Sequence, residues 1–167
     1  MMTDSDVLDV IGWLETAGID VCIDGGWGID ALIGEQTRPH DDLDIVIDRE
    51  RNDDAIAVLA CHGFRVHHDG RPVSFIVRDD HDRRVDFHPI RIDADGAGWQ
   101  ALPDGSEFRY TPEGLTGQGT IAGQPVRCIT AELQVDSHLG YEPDADDFHD
   151  MHLLRDRLGI TLPSPYC

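Results

Sequence analysis

The sequence contains no lysine, so all 13 of its basic side chains are arginines. Against them stand 33 aspartates and glutamates, which give a formal net charge of −20 at pH 7. Proteins that bind nucleic acid usually carry a basic stripe, whereas this surface would repel a polyanion, so no nucleic-acid partner is expected. The same charge would concentrate Mg2+ and amine-bearing molecules, although solubility alone would explain it equally well.

Long apolar runs are missing as well, and no stretch approaches the length that crosses a membrane. Met1 to Glu15 carry four acidic residues and no basic one, unlike a secretory signal. The four cysteines are widely separated and form no CxxC pair, so neither a disulfide framework nor a zinc site is predicted. These features predict a cytoplasmic protein with no membrane partner, and 167 residues suit a single domain.

The hydrophobic periodicity predicts a strand, a glycine pair and a helix near the start of the chain. An apolar run at 21–23 leads into Gly25 and Gly26, and residues 27–33 are predicted to form a helix that ends at Gly34. Adjacent glycines let a backbone approach a phosphate, and the free amides of a helix start attract one, although such a turn often has no further role. Other helices are predicted at 5–17, 53–62, 131–139 and 144–158, and other strands at 42–47, 64–67, 74–78 and 84–88. The glycine-rich stretch 93–125 is predicted to form loops, with one small hairpin that pairs 119–121 with 126–129.

Three aspartates carry the strongest chemical signal. Asp42 and Asp44 alternate with apolar residues along one strand, so their carboxylates share one face. Asp86 alternates with apolar residues in the same way on a later strand. If the two strands are neighbours, the three carboxylates form an oxygen cage for hard cations, as two-metal phosphoryl or nucleotidyl transfer requires. An acidic alternation is more often a solvated strand face, so only its combination with the glycine pair favours a metal site.

The motifs resemble a known family. Residues 25–34, GGWGIDALIG, and 37–45, TRPHDDLDI, closely resemble the signature of small antibiotic nucleotidyltransferases of the polymerase-β superfamily, of the lincosamide and aminoglycoside 2'' types. Residues 84–89 and 138–142 resemble, respectively, their third-carboxylate strand and a segment near their acceptor site. The resemblance implies an α+β, polymerase-β-like fold, in which a mixed twisted sheet with flanking helices forms a core over about 1–129. A short C-terminal helical part over about 130–167 would complete the single domain 1–167.

The resemblance also implies a role for individual residues. Asp42 and Asp44 would ligate two Mg2+ ions, and Asp86 would ligate the catalytic ion and act as general base for the acceptor hydroxyl. Asp30 is expected to brace the loop that contains Arg38, and Asp24 is unexplained unless it pairs with Arg38 or points away. The implied nucleotide-binding residues are Gly25, Gly26, Trp27, Arg38 and His40, and the implied substrate-binding residues are His88, Tyr141 and Glu142.

The implied activity is transfer of a nucleoside monophosphate, AMP from ATP or its counterpart from another NTP, to a small-molecule hydroxyl. The acceptor would be a lincosamide-like or aminoglycoside-like antibiotic, and pyrophosphate would be released. The acidic surface adds the expectation that the acceptor bears an amine and that Glu142 contacts it. Two alternatives remain: a nucleotidyltransferase-type antitoxin that modifies a protein, and a nucleotide-binding module without catalysis. Whether the chain forms a homodimer is left open.

Overall fold

The computed structural model describes residues 1–167, with nine strands in one mixed sheet and five α-helices. The helices are α1 (Asp4–Thr16), α2 (Gly25–Ile33), α3 (Asn52–Ala60), α4 (Ala131–Ser137) and α5 (Ala145–Leu158). The strands are β1 (Cys22–Asp24), β2 (Leu43–Asp48), β3 (Arg65–Gly70), β4 (Ser74–Arg78), β5 (Arg84–Ile92), β6 (Gly98–Ala101), β7 (Glu107–Tyr110), β8 (Gly117–Ile121) and β9 (Gln124–Cys128). Seven strands follow the order β3-β4-β5-β2-β1-β9-β8, and β6 and β7 extend from β5. This architecture confirms the predicted α+β fold. No helix has the length and apolarity needed to cross a membrane.

Local signals in the sequence explain where the helices begin and end. Thr3 and Asp6 form a capping box at α1, in which each side chain binds the backbone N–H of the other residue. Asp144 and Asp147 form a second capping box at the start of α5. Gly34 and Gly159 end α2 and α5 in the left-handed conformation, which glycine adopts without steric cost.

The register of the central strands brings acidic residues into one row. β2 runs antiparallel to β1, with Asp24 opposite Asp44, and parallel to β5, with Asp44 opposite Asp86. Asp42 lies two residues before Asp44, just ahead of β2, on the same side of the sheet as Asp44. The sheet therefore aligns carboxylates from three neighbouring strands.

The opposite face of these strands forms the main hydrophobic core. Leu43 and Ile45 of β2 and Phe87 of β5 are fully buried, within a cluster that includes the apolar faces of α1 and α3. Burial of each such side chain contributes about 1.5–3 kcal/mol, so the two strands are held firmly with their carboxylates facing outward. A second cluster packs Ile29 of α2 against Met151 of α5 and thereby fixes the C-terminal helices beside the start of α2.

The sequence-based prediction was wrong between the central strands and the C-terminal helices. β6 and β7 lie in the stretch predicted as loops, and β5 extends to Ile92, where the prediction ended at His88. β6 forms by pairing with the end of β5, a long-range contact that local patterns do not reveal. The predicted β8–β9 hairpin is confirmed. Leu158, the last residue of the helix predicted at 144–158, is 42% exposed.

Candidate active site

The three predicted carboxylates lie together at the ends of β2 and β5. Burial and the charges of Asp44 and Asp86 raise the pKa of Asp42 to about 6. Burial also raises the pKa of Asp86, although hydrogen bonds from Arg84 act in the opposite direction. A carboxylate resists ionisation in this way when like charges crowd it and too little positive charge is nearby. The cluster is therefore electrostatically suited to receive a cation.

An arginine currently partners two of these acids. Arg84 donates to both oxygens of Asp86, with Nε–Oδ1 and Nη2–Oδ2 distances of 2.9 and 2.7 Å, and its Nη1 lies 3.8 Å from Asp42 Oδ2. In this conformation no three His, Cys, Asp or Glu side chains are arranged so that they could hold a metal ion. The residues still fit a hard divalent cation, because the three carboxylates offer only oxygen ligands. The Arg84 guanidinium already lies between two of them, which shows that the site accepts positive charge.

The start of α2 borders the site on the β1 side. The prediction that the glycine pair forms a separate turn before the helix was wrong. Gly25 is already the first helical residue, and the carboxylate of Asp24 caps it by accepting its N–H at 2.7 Å. Gly25 has a φ of +60°, and a Cβ at this position would collide with the carboxylate of Asp44. Only glycine therefore lets the helix start approach Asp44 so closely. Asp24 does not pair with Arg38, so this pairing does not account for an acidic residue at the start of α2.

The loop before β2 is braced from within. His40, which is 3% exposed, lies 2.5 Å from Asp30 through its Nε2, and Asp30 also accepts a hydrogen bond from Thr37 Oγ1 at 2.6 Å. Asp30 thus braces this loop, as predicted. Arg38 donates through Nε and Nη2 to both oxygens of Asp150 on α5, at 3.0 and 2.6 Å.

These contacts involve two of the residues predicted to bind nucleotide. The side chain of Arg38 is paired with Asp150 and that of His40 lies against Asp30, and nucleotide binding by either residue stays a prediction. A Cβ on Gly26 would lie 2.5 Å from His40 Nδ1 and 2.8 Å from Arg38 Nη2, so Gly26 provides room for this loop. Trp27 is 2% exposed and packs in the core, which leaves only its backbone at the helix start.

A cavity of about 640 Å3 opens beside the carboxylates and holds residues predicted for two different subsites. Gly25, predicted to bind nucleotide, lines it together with His88 and Tyr141, predicted to bind the acceptor. Glu142 is exposed and does not line the cavity, and its contact with substrate stays a prediction. The remaining wall comes from β1, β2, the β6–β7 hairpin and the segment after α4, namely Asp24, Asp44, Gln100, Leu102, Pro103, Asp104, Phe108, Tyr110, Ser137, His138, Leu139 and Gly140.

His88 links the cavity to the carboxylates. Its Nε2 lies 3.2 Å from Asp44 Oδ1 and its Nδ1 lies 3.8 Å from Asp24 Oδ2. Burial disfavours the charged imidazole, yet the hydrogen bond and charge of Asp44 outweigh burial, and with Asp24 they raise the pKa of His88 to about 9. The side chain is therefore an imidazolium at neutral pH and neutralises part of the acidic row.

Sequence reasoning missed the polar residues that β6 and β7 bring to this cavity. The Tyr110 hydroxyl donates a hydrogen bond of 2.8 Å to Gln100 Oε1 and lies 3.3 Å from Asp24 Oδ2. Asp104 stands at the tip of the β6–β7 hairpin, where hydrogen bonds from Ser106 lower its pKa. No short motif marks these residues, because their position depends on strands whose pairing was not predicted.

This mixed sheet with flanking helices is an α+β nucleotidyltransferase fold, and the comparisons with known proteins agree. The family model described as aminoglycoside-2''-adenylyltransferase matches residues 6–154. The chain therefore belongs to this family of antibiotic nucleotidyltransferases.

Individual relatives match nearly the whole chain. The lincosamide resistance protein of Staphylococcus haemolyticus is 27% identical over 154 residues, which span 92% of this chain and 95% of that protein. The 2''-aminoglycoside nucleotidyltransferase of Escherichia coli is 27% identical over 91% of this chain and 82% of its own length.

Solved structures show the same fold. A lincomycin-bound lincosamide antibiotic adenylyltransferase superposes with a TM-score of 0.83 at 26% identity, over 93% of this chain and 98% of that chain. The complex of ANT(2'')-Ia with adenylyl-2''-tobramycin gives a TM-score of 0.75 at 26% identity, over 93% of this chain and 89% of that one.

Proposed function

We propose that this chain transfers a nucleoside monophosphate, AMP from ATP in the first instance, to a hydroxyl of a small antibiotic and releases pyrophosphate. The observation that carries the proposal is the placement of Asp42, Asp44 and Asp86 on one face of β2 and β5, beside Gly25 and a cavity large enough for a small molecule. Family membership supports nucleotidyl transfer as the reaction.

Within this site the three carboxylates would hold two Mg2+ ions, which neutralise charge on the attacking and leaving oxygens. The acceptor oxygen attacks the α-phosphorus, the bond from that phosphorus to the bridging oxygen breaks, and pyrophosphate leaves with the electron pair. Asp86 would take the proton of the acceptor hydroxyl. The N-terminal amides of α2 that follow Gly25, whose own N–H is donated to Asp24, would face the triphosphate.

The acceptor is proposed to carry an amine and an apolar portion. Asp104 offers a carboxylate at the cavity mouth, while Leu102, Phe108 and Tyr141 offer apolar and aromatic surface. Lincomycin and tobramycin, the molecules named in the two similar structures, are therefore the first acceptors to test.

The deciding experiment measures pyrophosphate release with each NTP and each acceptor, and determines the mass of the modified acceptor. The added mass must equal one nucleoside monophosphate. Asp86→Asn is expected to lower turnover by orders of magnitude while nucleotide still binds. Asp80→Asn is the matched control, because Asp80 is exposed and pairs only with Arg65. Near-normal turnover of Asp86→Asn would remove Asp86 from the mechanism, and a modified protein in place of a modified antibiotic would favour the antitoxin alternative.

A further inference from the structure

Arg84 is placed on the catalytic face of the sheet by the alternation of β5. It precedes Asp86 by two residues, so both side chains point to the side that carries Asp44. The guanidinium forms a bidentate pair with Asp86 at 2.9 and 2.7 Å, which is the geometry of a strong charge-assisted interaction. With Asp42 at 3.8 Å, the same guanidinium lies between two of the proposed metal ligands.

Arg84 and His88 are the side chains that pair with the carboxylate cluster. Arg84 contacts Asp86 and Asp42, and His88 Nε2 lies 3.2 Å from Asp44 Oδ1. Of these two side chains, only Arg84 contacts both Asp42 and Asp86. A divalent ion that bridges these acids must therefore compete with the guanidinium for the same oxygens.

We propose that Arg84 is the built-in counter-ion of the metal-free site, which neutralises Asp86 and Asp42 until a divalent cation binds and which has to leave Asp86 for that cation to enter. Arg84 is thus a positioning residue that sets the affinity of the site for metal. The inference rests on the proposed function, because it requires the carboxylates to be metal ligands.

The surroundings of Arg84 allow this movement. Its side chain is 40% exposed and borders a second cavity, of about 510 Å3, on the side of β3 and β4. The carboxylate of Asp41 also lines this cavity, so a released guanidinium finds both space and an acidic partner there. Arg78, which lies opposite Arg84 in the β4–β5 register, pairs with Asp82 on the same cavity wall, so Asp41 and not Asp82 is the partner open to Arg84.

The test compares Mn2+ binding, without nucleotide, by the wild-type chain and by Arg84→Met, which keeps the length of the side chain but not its charge. Mn2+ affinity is measured by calorimetry or electron paramagnetic resonance, and melting temperature is measured with and without the ion. Arg91→Met is the matched control, since Arg91 lies on the same strand, is also 40% exposed, and pairs with Glu107 away from the cluster.

Removing the competing charge is expected to tighten Mn2+ binding roughly fivefold, the range of a partly exposed ion pair. The metal-free Arg84→Met chain is expected to melt at a lower temperature than the control. Mn2+ is expected to remove this difference in melting temperature. Arg84→Lys keeps the charge and loses the bidentate pair, so its Mn2+ affinity is expected to lie between those of the wild type and Arg84→Met. If the methionine variant does not fold, the comparison of Arg84→Lys with the wild type provides the test.

Three outcomes would overturn the inference. Unchanged Mn2+ affinity, with equal loss of stability in the presence and absence of metal, would make Arg84 a structural residue only. Weaker Mn2+ binding would mean that Arg84 holds Asp86 in position for the cation. Absence of Mn2+ binding in the wild-type chain would overturn the proposed metal site itself, which distinguishes a failure of the function from a failure of the counter-ion.

Discussion

Replacement of Gly25 by alanine tests how closely the start of α2 is fitted to the catalytic face. Gly25 has a φ of +60°, and an added Cβ would collide with the carboxylate of Asp44. Gly34 ends the same helix with a φ of +86°, but a Cβ there would have only Thr120 Oγ1 nearby, at an ordinary 3.5 Å. Alanine would therefore be strained in its backbone at both positions, but only at position 25 would its Cβ also collide with Asp44.

The expected magnitudes follow from this difference. A left-handed conformation costs an alanine about 1–2 kcal/mol, so both variants are expected to lose about that much free energy of unfolding. In Gly25→Ala the collision adds to this loss, and because the partner is a proposed metal ligand, Asp44 must shift out of position. A displacement of about 1 Å at a catalytic group lowers turnover by about 100-fold. Gly34→Ala is expected to keep near wild-type turnover.

Urea unfolding provides the free energies, and steady-state kinetics with saturating acceptor provides turnover. Mn2+ binding gives an independent measure, since a displaced Asp44 is expected to weaken it in Gly25→Ala alone. Equal turnover in the two alanine variants would refute the reasoning, because it would show that the helix start tolerates a side chain against Asp44.

Three further changes test other parts of the site. Asp104→Asn is expected to raise the KM of an amine-bearing acceptor several-fold, whereas Glu142→Gln, outside the cavity, is expected to leave it unchanged; similar KM values in both variants would remove Asp104 from acceptor binding. The folded-state pKa of Asp42, about 6, exceeds its ordinary value of 3.8, so its ionisation destabilises the metal-free fold as pH rises from 4 to 6. Asp42→Asn is therefore expected to stabilise the metal-free chain at pH 8 by about 1–2 kcal/mol, after a discount for solvent screening, and to reduce stabilisation by Mg2+; lower stability in thermal unfolding would contradict this. Asp150→Asn leaves Arg38 without its buried partner and is expected to cost about 3 kcal/mol in urea unfolding, and a cost below 1 kcal/mol would show that the pair does not fix the loop.

The parts of the site that depend on local periodicity were predicted from the sequence. Alternation along a strand decides which side chains share a face, so Asp42 and Asp44 had to lie together once β2 formed. Capping residues and left-handed glycines act within a few residues, which is why the bounds of α1 and the ends of α2 and α5 agree closely with prediction. That Asp86 joins Asp44 was inferred from the family resemblance, and the parallel β2–β5 register provides it.

The tertiary structure alone decided which partners the predicted site residues have. Arg38 and His40 precede the acidic motif as phosphate ligands would, yet Asp150 and Asp30 engage them, and one of these partners is 112 residues away. Gly25, His88 and Tyr141, far apart in sequence, meet in one cavity, whereas the adjacent Glu142 lies outside it. Local patterns determine the direction of a side chain relative to its own strand or helix. Its partners are determined by long-range pairing and packing, which depend on the whole chain.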